Sequence, residues 1–192
     1  MLYITMNAEV NKLAEKIYKN HKDLFDFVFD NKPDLASELY SIFERKIKAS
    51  NWVVVCSKQK SYVRFLTNKL VPIIPHKGRD YYSVKESFLF EINFWWSKKA
   101  IFKTIILQSD TVIQEIFCKA MENIPEFKNP KDGKSLVYYQ HSWEFEAQKL
   151  TEVDETGVLK LLDAEWPKIT EIVNKVETEL LKYKDELEKH CS

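Results

Sequence analysis

The chain of 192 residues reads as an α+β protein: a mainly antiparallel sheet of about five strands, helices packed on it, an N-terminal helix pair and a long C-terminal helix. Three observations lead there. Between Ser87 and Gln108 two apolar, β-prone runs flank the turn Ser97-Lys98-Lys99 and lead into a helix capped near Ser109-Asp110-Thr111. Helical periodicity dominates both ends of the chain. Only 3 Gly stand against 14% aromatic residues, which fits a packed globule and argues against a glycine-built phosphate cradle.

In order, Asn7 can cap a helix whose Val10, Leu13, Ala14, Ile17 and Tyr18 repeat at i, i+3, i+4, i+7 and i+8, and this stripe is expected to be core. Leu24, Phe25 and Val28 continue the pattern until Asn31-Lys32-Pro33 ends it. A second helix is expected from Pro33, with Leu35, Leu39, Ile42, Phe43 and Ile47 on one face. Trp52 to Cys56 and Tyr62 to Leu66 form a first hairpin across Ser57-Lys58-Gln59-Lys60, because β-branched and aromatic residues suit a pleated surface. Two prolines and a glycine make 72–80 a loop.

In the next hairpin Phe88, Phe90, Ile92 and Phe94 share one strand face, and Leu89, Glu91, Asn93 and Trp95 share the other. The helix beyond it carries Thr111 and Gln114 at capping-box spacing and stops at Pro125. Lys128 to Lys134 is a turn, and Leu136 to Phe145 reads as one further strand. Asp154 or Thr156 caps the terminal helices, which are expected to break at Trp166-Pro167. Ile169, Val173, Val176, Leu180, Tyr183 and Leu187 then follow a heptad; Ile172 and Leu181 widen the face, favouring docking within the chain over a coiled coil. The domain reading is one unit over 1–192, with N-terminal helices at 7–49, the sheet at 52–145 with its helix at 111–124, and C-terminal helices at 154–189.

Lys+Arg and Asp+Glu balance at 29 each, but not locally. Ser57 to Lys103 holds ten cations against three acids, and Leu136 to Ser192 seven against thirteen. Cys56, Cys118 and Cys191 are widely spaced and show no zinc pattern, and His21, His76, His141 and His190 are scattered; no metal is expected from ligand spacing. With no long apolar run and no leader, the expected compartment is the cytoplasm.

The helix, strand run, helix and strand from Pro33 to Phe145 resemble the core of the PD-(D/E)XK nuclease superfamily, in particular its small bacterial and phage members. Phe88-Leu89-Phe90-Glu91-Ile92 followed by Ile101 to Leu107 is similar to that core's central hairpin. The resemblance implies a Mg²⁺ site in which two carboxylates hold the ion on a scissile phosphate beside a lysine. Here it assigns Glu91 as an acid, Lys103 as the lysine and Glu44 as a helix ligand, while Ile101 stands where the second strand acid belongs. The plain alternative for Glu91 is an outward-facing strand residue paired with a neighbouring lysine.

Two other constellations stand beside it. Lys58, Lys60, Arg64, Lys77, Arg79, Lys98 and Lys99, with His76, Tyr62 and Trp96, offer cations and rings for nucleic acid, although lysines at hairpin turns also simply keep sheet edges apart. Trp95, Trp96, Tyr81 and Tyr82 are candidates for a protein interface, because adjacent strand aromatics point to opposite faces; the same argument applies to Tyr138 and Tyr139. The preferred expectation is a binding module without catalysis and without a cofactor, acting on another protein through its sheet edge and exposed aromatics in a bacterial or phage defence setting. A metal-dependent nuclease and a sequence-tolerant nucleic-acid binder are the alternatives. No membrane partner is expected, and monomer and homodimer both stay open.

Overall fold

A computed structural model describes residues 8–30, 35–59, 61–78, 84–95, 99–107, 110–127, 130, 135–144, 148–149 and 152–191. The chain divides into two compact units, Met1–Asp34 and Leu35–Ser192, where the sequence suggested one.

The first unit holds α1 (Ala8–Asn20) and α2 (Lys22–Asp30). The helix path continues across His21, whose amide still bonds to the Ile17 carbonyl and whose own carbonyl accepts from Phe25. Tyr18 ties the two helices together, its ring 5.9 Å from that of Phe25 and its hydroxyl donating to Asp26 at 3.0 Å. The stripe expected to be core is instead exposed: Val10, Leu13, Ile17, Tyr18, Leu24 and Val28 all face solvent. The amphipathic pattern was real, but a pair of short consecutive helices has no second layer of its own to bury it.

The second unit begins with α3 (Leu35–Lys48), whose Leu39, Ile42, Phe43 and Ile47 are buried as their spacing requires. A six-stranded antiparallel sheet follows: β1 (Val53–Gln59), β2 (Tyr62–Thr67), β3 (Phe88–Trp95) and β4 (Lys99–Leu107) in sequence order, then β5 (Ser135–Leu136) and β6 (Gln140–Glu144), both beside β4. β1 runs past its expected end at Cys56 to Gln59, and a bulge between Val55 and Ser57 absorbs the change of register. The strand expected over Leu136 to Phe145 is split in two, and β7 (Gln148–Lys149) with β8 (Glu152–Val153) adds a small ribbon that the periodicity did not show.

Helices cover one face of the sheet. Phe43 of α3 meets Phe94 at 4.3 Å, Phe117 of α4 (Thr111–Glu122) meets Phe88 at 5.7 Å, and Glu165 of α5 (Glu155–Leu181) meets His141 of β6. On that face Phe65, Phe90 and Phe102 stack across three strands, at 5.4 Å for Phe65–Phe90 and 6.1 Å for Phe90–Phe102. These rings carry no polar atom, and all three are completely buried, so each adds to the core without leaving a hydrogen bond unmade.

Helix ends were partly legible. Asp154 caps α5, its Oδ1 accepting from Gly157 N at 2.9 Å. Asp110, not Thr111, caps α4 by accepting from Val112 N at 2.8 Å. The break expected at Trp166-Pro167 is absent, since α5 runs through Pro167. Trp166 packs toward Trp52 at 6.3 Å, and the buried Leu162 and Ile169 flank the proline, so packing carries the helix across its missing hydrogen bond. Ile169, Val173, Val176, Leu180 and, in α6 (Lys184–Glu188), Leu187 are buried, which places the C-terminal heptad against its own unit.

Candidate functional site

Alternation along β3 sends Glu91 to the sheet face opposite Phe90 and Ile92, away from α3, α4 and α5. Register does the rest: Ser57 lies beside Arg64, Arg64 beside Glu91, Glu91 beside Lys103 and Lys103 beside Gln140, so one polar row crosses five strands. Arg64 Nε donates to Glu91 Oε2 at 2.8 Å, and Lys103 Nζ donates to Glu91 Oε1 at 2.9 Å. Arg64 and Glu91 are only 4% and 3% exposed, whereas the Lys103 side chain keeps 22%. The Arg64 guanidinium also lies 4.0 Å from the Tyr62 ring centroid, and burial raises the Tyr62 phenol while the Arg64 charge opposes that rise.

On one side of this row the face is apolar and closed, with Leu66, Leu89 and Ile105 buried. On the other it opens: Tyr62, Asn93 and Ile101 are half-buried, and Gln59 and Ser142 are exposed. The row therefore marks the boundary between a sealed and a solvated half of one sheet face. Two cations surround one carboxylate there, which leaves a net positive charge whose wet end is Lys103.

The arrangement does not fit a divalent-ion site. Both Glu91 oxygens are taken by cations, and a metal would have to displace a buried guanidinium to reach them. Glu44 belongs to α3, which packs on the Phe94 side of the sheet, so the two carboxylates lie on opposite faces; Glu44 pairs instead with Lys48 at 2.8 Å. Among the described residues no group of three or more His, Cys, Asp and Glu could hold a metal.

Arg64 is buried against Glu91, which takes it out of a phosphate-binding role, while Lys77 and Lys99 are exposed and Lys58 lies on β1. Lys60, Arg79 and Lys98 fall outside the described residues, as do Tyr81, Tyr82 and Trp96; Trp95 ends β3. Tyr138 and Tyr139, expected to leave one ring off the core, both join it: Tyr138 is buried, and Tyr139 stacks on Phe127 at 5.3 Å. The backbone of Tyr139 bonds to Thr104 at this point, so the strand alternation assumed for the pair is broken.

Outside this face, His141 Nε2 contacts Glu165 Oε2 at 2.6 Å and stacks on Trp143 at 5.8 Å, joining β6 to α5. An open groove of about 500 Å³ runs between the end of α4 and α5, where Lys175 bridges Glu126 and Glu171. The exposed apolar stripe of α1 and α2 is the feature that sequence reasoning located but assigned to the core.

No family model matches the chain, no curated protein matches it, and no solved structure matches it. Among the described residues no helix is long and apolar enough to cross a membrane.

Proposed function

We propose that this protein is a non-catalytic protein-binding module whose contact surface includes the apolar stripe of α1 and α2. The observation that carries the reading is the exposure of Val10, Leu13, Ile17, Leu24 and Val28 along α1 and α2, with Leu13 57% and Leu24 61% exposed. Isolated apolar residues on a surface are ordinary, but a row of them over two helices, interrupted only at Asn20, is the kind of patch that partner proteins cover. The half-open sheet face beside Lys103, with Tyr62, Asn93 and Ile101, supplies a second, more polar surface of mixed character. This moves the expected contact from the sheet-edge aromatics toward the N-terminal helices.

The test compares capture from cells by the full chain and by a Leu13→Glu, Leu24→Glu variant, with nucleic-acid cleavage assayed beside it in Mg²⁺ and Mn²⁺. The expected result is a protein retained by the parent and lost from the variant, and no metal-stimulated cleavage. Cleavage that disappears in Glu91→Gln would establish the nuclease reading in its place.

A further inference from the structure

We infer that the stripe on α1 and α2 is occupied by a second copy of this chain, paired antiparallel; the inference rests on the protein-binding reading above and names its partner. Val10, Leu13, Ile17, Asn20 and Leu24 are spaced three, four, three and four, the a and d positions of a coiled coil. The four apolar members are all exposed. The C-terminal heptad, by contrast, is already buried on its own unit. At about 1.5 Å per residue the seam from Ala8 to Asp30 is roughly 35 Å long, enough for three heptads.

Charge selects the orientation. α1 carries three lysines against two glutamates, and α2 carries one lysine against three aspartates. A parallel pair would put like halves together, while an antiparallel pair sets the basic half of each copy against the acidic half of the other. The register follows from matching a layers to d layers: Leu13 packs on Leu24 of the partner copy, and Ile17 on its Asn20. In that register Lys16 and Asp23 occupy facing g positions, and the two-fold axis repeats the pair. The same register sets position 9 against position 30, two positions of like charge in the sequence, which subtracts from the gain. The axis falls between Tyr18 and Lys19, within three residues of His21, where α1 gives way to α2.

The experiment is sedimentation velocity on the full chain over a wide concentration range, with a charge-swap series and a benzophenone amino acid in place of Leu13. A concentration-dependent dimer is expected, weakened roughly tenfold by Lys16→Glu and by Asp23→Lys singly and restored when both are present. The benzophenone is expected to cross-link chain to chain. A dimer indifferent to both charge reversals would overturn the antiparallel seam. A monomer at every concentration whose benzophenone traps a different protein in cells overturns the second copy and leaves the protein-binding reading standing. A monomer that cross-links only to its own residues 35–192 overturns both.

Discussion

Replacing Glu91 by alanine tests the most consequential contact in the sheet. The carboxylate is 3% exposed and its two oxygens hold Arg64 and Lys103 at 2.8 and 2.9 Å, so its removal takes the Glu91 carboxylate away from a guanidinium that is itself 4% exposed. Breaking a buried pair in this way costs about 3–5 kcal/mol, because the remaining ion can neither rehydrate nor lose its proton. Lys103 differs: its side chain keeps 22% of its exposure and its ammonium can turn to water, so Lys103→Met is expected to cost about 1 kcal/mol or less. For a unit of this size each kcal/mol corresponds to about 2–4 °C, which puts Glu91→Ala roughly 6–20 °C below the parent in thermal unfolding followed by circular dichroism. The triple variant Arg64→Met, Glu91→Leu, Lys103→Met removes all three charges together and is expected to recover most of that loss, since none is left buried alone. A loss under about 1 kcal/mol for Glu91→Ala, or equal losses for Glu91→Ala and Lys103→Met, would refute the assignment of a buried Arg64–Glu91 pair with a wet lysine.

Two further outcomes follow from local chemistry. Asp154→Ala removes the acceptor for Gly157 N and is expected to lower stability by about 1 kcal/mol in urea unfolding. A Cβ at Gly157 would come 2.4 Å from Asp154 Oδ2 and turn that carboxylate off the amide, while alanine adds about 1 kcal/mol of helix propensity, so Gly157→Ala is expected to stay close to the parent; equal stability of parent and Asp154→Ala would refute the cap. Burial, aided by Glu86, pushes the Cys56 thiol from 9.0 up to about 12. Its thiolate is therefore scarce at pH 8, and iodoacetamide should label Cys56 far more slowly than a model thiol. The same shift makes the folded state hold its proton after the unfolded chain has released it. Stability from this group is thus complete below about pH 9 and falls as pH rises toward about 12, and Cys56→Ala should flatten that fall. Fast labelling at pH 8, or an unchanged alkaline profile in Cys56→Ala, would count against it.

Much of the fold was readable from the chain because each element carries its own period. The even-numbered phenylalanines of β3 and the spacing of Leu39, Ile42, Phe43 and Ile47 imply a sheet face and a helix face that must meet, and Phe43 meets Phe94. Asp154 announced its helix because a short acceptor before an apolar run satisfies amides that the helix itself cannot. Pro167 misled because propensity counts the lost hydrogen bond and not the packing around Trp166 that outweighs it.

The candidate site was less legible. Glu91 and Lys103 could be named from sequence, and the pairing of the acid with a neighbouring lysine forms, but Glu91 is buried where the plain alternative had it facing outward. The pairing of β2 with β3 that brings Arg64 to the other carboxylate oxygen spans 27 residues and belongs to register, which no local pattern encodes. Alternation along β3, with α3 packed on the Phe94 side, sets Glu44 and Glu91 on opposite faces of the sheet.

Periodicity by itself determined which side of each helix and strand is apolar, since side-chain direction repeats with backbone geometry. Whether an apolar side finds a neighbour is decided only in three dimensions, because burial depends on a second layer and not on the pattern. The two heptads of this chain show the difference: Val173 and Leu180 are sealed within their unit, and Leu13 and Leu24, just as regular in spacing, stand in solvent.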